Sequence, residues 1–100
     1  MEPLVSYQSE ESYAIIAIKN GKANAISHQV IEGLNASLDK AEQENKVVIL
    51  TGQNGIFSAG FDLKVMKKSP ESAKELVTKG SQLSLRMLSS LSSVSMQKIR

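Results

Sequence analysis

The chain has no cysteine, which excludes disulfides, thiolate metal sites and cysteine nucleophiles. Aromatic residues are scarce, with two tyrosines, two phenylalanines and no tryptophan. Basic clusters such as Lys67-Lys68 are short and carry no interleaved rings on which bases could stack, so no nucleic-acid partner is expected. There is one histidine, His28, with neither a second ligand nor a serine–acid partner beside it, and no metal site or catalytic triad is expected. It falls just inside a predicted helix start, where exposure to water is expected. Charge of one sign is also lacking: 12 basic against 10 acidic residues leave a net +2. The estimated pI of 9.0 reflects a few residues in a balanced chain. No apolar run approaches the roughly 20 residues that span a bilayer, so no membrane partner is expected. Met1 to Ser6, followed by Glu10-Glu11, has neither the basic-then-apolar order of a secretory signal nor the Arg-rich character of a transit peptide, which predicts a cytoplasmic protein.

What is present suits one modest α/β domain: 100 residues, 41% hydrophobic. Tyr13 to Ile18 is an apolar run ended by Lys19-Asn20-Gly21, the pattern of a strand entering a turn, with Leu4 to Tyr7 as its hairpin partner. From Ser27 the period becomes helical: Val30, Ile31, Leu34, Leu38 and Ala41 form one stripe, and Ser27 is placed to cap it. Glu42 and Lys46, four apart, are positioned to pair. Val47 to Leu50 is apolar throughout, which predicts a strand covered on both faces. Asp62 to Lys68 reads as a short helix. Ser69-Pro70-Glu71 has the signature of another helix start, and Ala73, Leu76, Val77, Gly80, Leu83, Met87, Leu88 and Leu91 make its stripe to about Leu91. The serine-heavy segment from Ser89 onward is predicted to be irregular, with no strand after the long helix. The expected division is residues 1–91 as a partial domain and 92–100 as a tail.

The segment with chemical content is Phe57-Ser58-Ala59-Gly60-Phe61-Asp62-Leu63, a small-residue turn between a buried strand and a helix. Small residues let backbone approach a ligand, and the first N–H groups of a helix lack internal acceptors. An oxyanion placed there would be stabilised. Many strand–glycine–helix turns only pack, however, and spacing alone does not separate the two readings.

Two separated motifs bear on the choice. Gly21-Lys22-Ala23-Asn24-Ala25-Ile26, then an amphipathic helix, then Val48 to Gly52 and Phe57 to Leu63, resembles in order and spacing the crotonase superfamily of enoyl-CoA hydratases and isomerases, over roughly residues 4 to 90. The resemblance implies an α/β fold, the N-terminal part of a crotonase-like spiral of ββα units that binds acyl-CoA thioesters, with no cofactor beyond the coenzyme A of the substrate. By position it implies that the Phe61 backbone N–H is an oxyanion donor and that Ala59 lines the CoA site through its backbone. It also places Ala23 and Ala25 near the adenine end, and Lys64 near the CoA phosphates. A solvated helix lysine is the ordinary alternative for Lys64. Asp62 is read as a helix-start carboxylate and not as a catalytic acid. Glu71 and Glu75 are read as solvated helix charges, and Tyr7 and Tyr13 as strand-packing residues.

The same resemblance marks what the 100 residues do not contain: the later glycine-rich turn that carries the family's second oxyanion donor, and the hydratase glutamates beyond it. The full-length protein is expected to form a homo-oligomer and to carry out hydration or isomerisation. This chain alone is expected to lack that activity. A non-catalytic fragment or short isoform acting through association is the alternative, and a shifted reading frame behind the serine-rich ending a third. Phe61 stands where a smaller residue is frequent in the family.

Overall fold

The structure is a computed structural model that describes residues 3–53, 57–58, 60–89 and 94–97. Among these, β1 (Val5–Ser9) and β2 (Tyr13–Ile18) form an antiparallel hairpin in which Tyr7 faces Ile16. α1 (His28–Gln43) follows and returns the chain to β3 (Val47–Thr51), which runs parallel to β2 with Ile16 opposite Leu50. α2 (Leu63–Lys68) and α3 (Pro70–Ser89) then lead to β4 (Val94–Gln97), parallel to β3. The sheet order is β1-β2-β3-β4.

α1 forms for local reasons that are all satisfied. Ser27 caps its start, its hydroxyl accepting from the Val30 N–H at 3.2 Å. The five predicted stripe residues Val30, Ile31, Leu34, Leu38 and Ala41 are all buried. At the far end Asn45 takes a left-handed φ of 55°, and the Asn45 and Lys46 N–H groups return to the Glu42 and Ala41 carbonyls at 3.2 and 3.0 Å. These are the two bonds of a Schellman ending. Gly33 lets the helix approach the hairpin, since a Cβ there would stand 2.8 Å from Val5. The predicted Glu42–Lys46 pair does not form. Glu42 turns to Arg86 of α3, and the Lys46 ammonium donates to the Ser9 hydroxyl and the Glu10 carbonyl at the hairpin end.

The core lies between the sheet and α1 and α3, built on Ile16, Ile18, Val48, Leu50, Leu34, Leu76 and Leu83. Two expectations fail here. β3 is not covered on both faces: Val48 and Leu50 are buried, while Val47 is exposed and Ile49 and Thr51 are half-buried. An apolar run cannot say how many layers cover it, and among the described residues the helices pack on one face. The segment after α3 is also not wholly irregular, because Val94–Gln97 is a strand. The serine-rich run leading into it shows no strand alternation, and it is the backbone pairing with β3 that makes the strand.

α3 starts as predicted, with the Ser69 hydroxyl accepting from the Ser72 N–H at 3.0 Å. Its stripe is buried only in part. Leu76, Gly80 and Leu83 are buried, whereas Val77 and Leu88 are exposed, and Leu91 lies outside the described residues. Arg86 ties α3 to α1, donating to Asn35 Oδ1 at 2.9 Å and Asp39 Oδ1 at 2.6 Å. Burial works against its charge, and bonding to the Asp39 and Glu42 carboxylates more than offsets this, raising its pKa.

Candidate functional site

The two motif segments meet in space. Ile26, just before α1, forms a parallel bridge with Phe61, just before α2. The Ile26 N–H donates to the Gly60 carbonyl and the Asp62 N–H donates to the Ile26 carbonyl, both at 2.8 Å. In such a bridge one residue makes both bonds, so the N–H and C=O of Phe61 itself face away from Ile26. Among the described residues no backbone acceptor outside the regular elements takes the Phe61 N–H.

The turn is shaped by its small residues. Gly60 has a φ of +116°, which side-chain-bearing residues rarely adopt, and its N–H is held by the Ser58 hydroxyl at 3.0 Å. Asp62 accepts the Lys64 N–H on Oδ1 at 2.9 Å, so its helix-start role is that of the cap just before α2 and not of a first-turn residue.

Beside the turn lies a cavity of about 600 Å³, within the range of small-molecule sites. Ile18 and Leu50 close it from the sheet, Leu34 from α1, Phe57 and Phe61 from the turn, and Gly80, Leu83 and Met87 from α3. Among the described residues the lining is almost wholly apolar, with a single hydroxyl, that of Ser84. The Phe61 ring reaches across to α3 and rests where Gly80 has no side chain: a Cβ on Gly80 would stand 2.7 Å from Cε1 and 2.8 Å from Cζ. The large residue at 61 and the missing side chain at 80 are therefore one packing unit.

The remaining predicted residues are placed unevenly. Ala25 is half-buried and its carbonyl accepts from Asn20 Nδ2 at 2.7 Å, while Ala23 is exposed on the preceding turn. Lys64 is exposed and makes no ion pair among the described residues. Ala59 lies outside the described residues. Glu75 pairs with Lys79 at 3.4 Å along the surface of α3, as a solvated helix charge does. His28 is only half-exposed, and its Nδ1 is buried with no hydrogen-bond partner among the described residues, so the expectation of a solvated side chain fails.

Sequence reasoning passed over Asn24. It is fully buried, has a left-handed φ of 52° and uses its side-chain amide to bond the end of β2 at Ile18 and the second motif at Phe57. The available signal was an asparagine among small residues right after Asn-Gly, a place where a left-handed backbone is expected.

Comparison with known proteins bears on this arrangement. The family model for enoyl-CoA hydratase/isomerase matches residues 8–98. The chain belongs to the enoyl-CoA hydratase/isomerase family. A probable enoyl-CoA hydratase of Bacillus subtilis is 34% identical over 87 residues, which is 83% of this chain and 34% of the relative. An enoyl-CoA hydratase/isomerase family protein from Pseudomonas syringae superposes with a TM-score of 0.89 at 47% identity, covering 95% of this chain and 41% of that one. An enoyl-CoA isomerase of Mycobacterium tuberculosis superposes with a TM-score of 0.87 at 34% identity, over 96% of this chain and 42% of its own. The crotonase-like α/β fold expected from the two motifs is therefore present, as its N-terminal portion. The chain spans about a third of the curated hydratase and two-fifths of the solved structures it matches.

Proposed function

We propose that this chain is the thioester-binding portion of an enoyl-CoA hydratase/isomerase in which the Phe61 N–H donates to the thioester carbonyl as it gains enolate charge. The observation that carries this reading is the Ile26–Phe61 bridge, in which Ile26 makes both bonds and the Phe61 N–H faces away from it, without a backbone acceptor among the described residues, in a turn that lines an apolar cavity. The acyl chain, apolar and flexible, suits that lining. By family position Ala59, outside the described residues, is assigned to the CoA path, Ala23 and Ala25 to the adenine end, and the exposed Lys64 ammonium to the CoA phosphates. No metal or separate cofactor enters the proposal, since the amide itself supplies the electrostatic stabilisation.

One oxyanion donor contributes about 2.7–4 kcal/mol to such a barrier. A second donor and the carboxylates that move protons belong, on this reading, to the part of the fold not represented in these 100 residues, and the complete protein acts as a homo-oligomer on hydration or isomerisation of an enoyl thioester. The isolated chain is expected to bind and not to turn over. Titration with butyryl-CoA followed by ¹⁵N NMR is expected to shift the Phe61 amide saturably. Saturating ligand without a response at Phe61 removes the proposal, and crotonyl-CoA hydration at an ordinary enzymatic rate removes the claim that the site is incomplete.

Exposed leucines favour a second reading, association with another chain. Leu63 and Leu85 are each 66% exposed and Leu88 is 62% exposed, on α2 and α3. Separately, β4 is an edge of the described sheet, where a strand of another chain could pair with its backbone. Light scattering decides between the readings: a monodisperse monomer at high micromolar concentration counts against association.

A further inference from the structure

We propose that Asn24 is a positioning residue for the Gly60–Phe61 amides, coupling the Asn20–Ile26 loop to the turn that would hold the thioester oxygen. Its relation to catalysis rests on the acyl-CoA reading above; the positioning itself does not.

A side-chain amide has two N–H donors and an oxygen with two lone pairs. In Asn24 all four are used. Nδ2 donates to the carbonyls of Ile18 and Phe57, both at 2.9 Å. Oδ1 accepts from the Asn20 N–H at 2.6 Å and from Gln53 Nε2 at 3.2 Å. These partners come from the end of β2, the loop after it, the segment after β3 and the turn itself. The side chain is fully buried, so a partner that moves away leaves a polar group without water to replace it.

The consequence for the turn is geometric. Asn24 holds it at Phe57, and Ile26, two residues later in the same loop, holds it at Gly60 and Asp62. Both grips come from a three-residue stretch, so the position of that stretch sets where the intervening amides point. Gln53 reinforces the stretch from outside, donating also to the Gly21 carbonyl. Aspartate cannot replace Asn24, because it would lose both donors and bury a charge. Glycine can keep the backbone, because a φ of 52° costs it nothing. Asn24→Gly therefore removes the four bonds without adding strain.

Amide hydrogen exchange on the whole chain tests the proposal. In Asn24→Gly the Ile26 and Asp62 amides are expected to exchange at least tenfold faster, while the β2–β3 amides of the core keep their protection. A uniform acceleration across all slow amides would make Asn24 a contributor to overall stability only, and unchanged exchange at Ile26 and Asp62 would show that the turn does not depend on it; either result overturns the proposal. If Asn24→Gly does not fold, Gln53→Ala decides, with an expected acceleration of about threefold at the same two amides and no change there as the overturning result. A butyryl-CoA titration separates this from the functional reading. Wild-type protein without any ligand response defeats the acyl-CoA proposal and leaves the exchange result to judge Asn24. A response at Phe61 that persists unchanged in Asn24→Gly counts against the coupling.

Discussion

The hairpin with α1 and the half containing α2 and α3 are built from similar residue types and packed to different ends. α1 has both termini satisfied, by Ser27 at one end and the Asn45 ending at the other, and its whole apolar stripe is buried. α3 has a comparable stripe, yet only part of it reaches the core, and a cavity of about 600 Å³ separates its middle from the sheet. The first half is packed for stability. In the second, apolar surface stays exposed or lines the cavity, and the Gly60–Asp62 turn lies at that boundary.

Substitutions at matched leucines give the sharpest contrast. Leu76 is fully buried, and Leu76→Ala is expected to cost about 2–5 kcal/mol in a urea titration, whereas Leu88→Ala, 62% exposed, should change stability by less than about 0.5 kcal/mol. Equal losses would erase the distinction between the packed and unpacked faces of α3. Gly60→Ala comes next. No atom lies within 4 Å of the added Cβ, so the cost is that of the backbone alone, about 1–3 kcal/mol for a φ of +116°. A neutral result would mean that the turn relaxes without harm and is not held in the shape described.

Gly80→Ala is expected to be smaller still, because two effects oppose. Alanine favours the helix by about 1 kcal/mol, and the displaced Phe61 ring costs a similar amount. Against a Phe61→Ala background the same change should stabilise by close to the full helix preference. Additive values in that double-mutant cycle would show that residues 61 and 80 do not share space. The smallest effect is in pH. Removal from water, with the Glu44 acceptor 2.7 Å away, pushes the Tyr7 phenol up to about 12. Its folded pKa is raised, so its contribution is intact below the ordinary value of 10.0 and is lost as pH rises through about 12. The Tyr7 hydrogen bond in turn holds the Glu44 carboxyl below its ordinary range, and that contribution fades as pH falls through the lowered value. Wild type should lose stability relative to Tyr7→Phe across the alkaline window; parallel curves there would remove the linkage.

Legibility followed the range of the interactions. The caps at Ser27, Asp62 and Ser69 were readable because each side chain bonds an N–H two or three residues away. The stripe of α1 was readable from its period. The second strand pair was misjudged in its covering, since an apolar Ile49 looks the same whether a helix lies over it or not. β4 was missed because its pairing with β3 is not written in Ser-rich local sequence. At the site, Gly60 and Asp62 were placed correctly, and Asn24 was not singled out because its partner Phe57 is 33 residues away.

By itself, then, the amino-acid order determined which segments become helix, the glycine turns at Gly21 and Gly60, and, through two spaced motifs, the family. The tertiary structure alone decided that Ile26 would clamp Phe61, that Asn24 would reach from the first motif to the second at Phe57, and that the Phe61 ring would occupy the space left by Gly80. The physical reason is distance along the chain. Caps and periods are satisfied within a turn or two of backbone, whereas a buried amide or a bridge is satisfied by whatever the fold brings beside it.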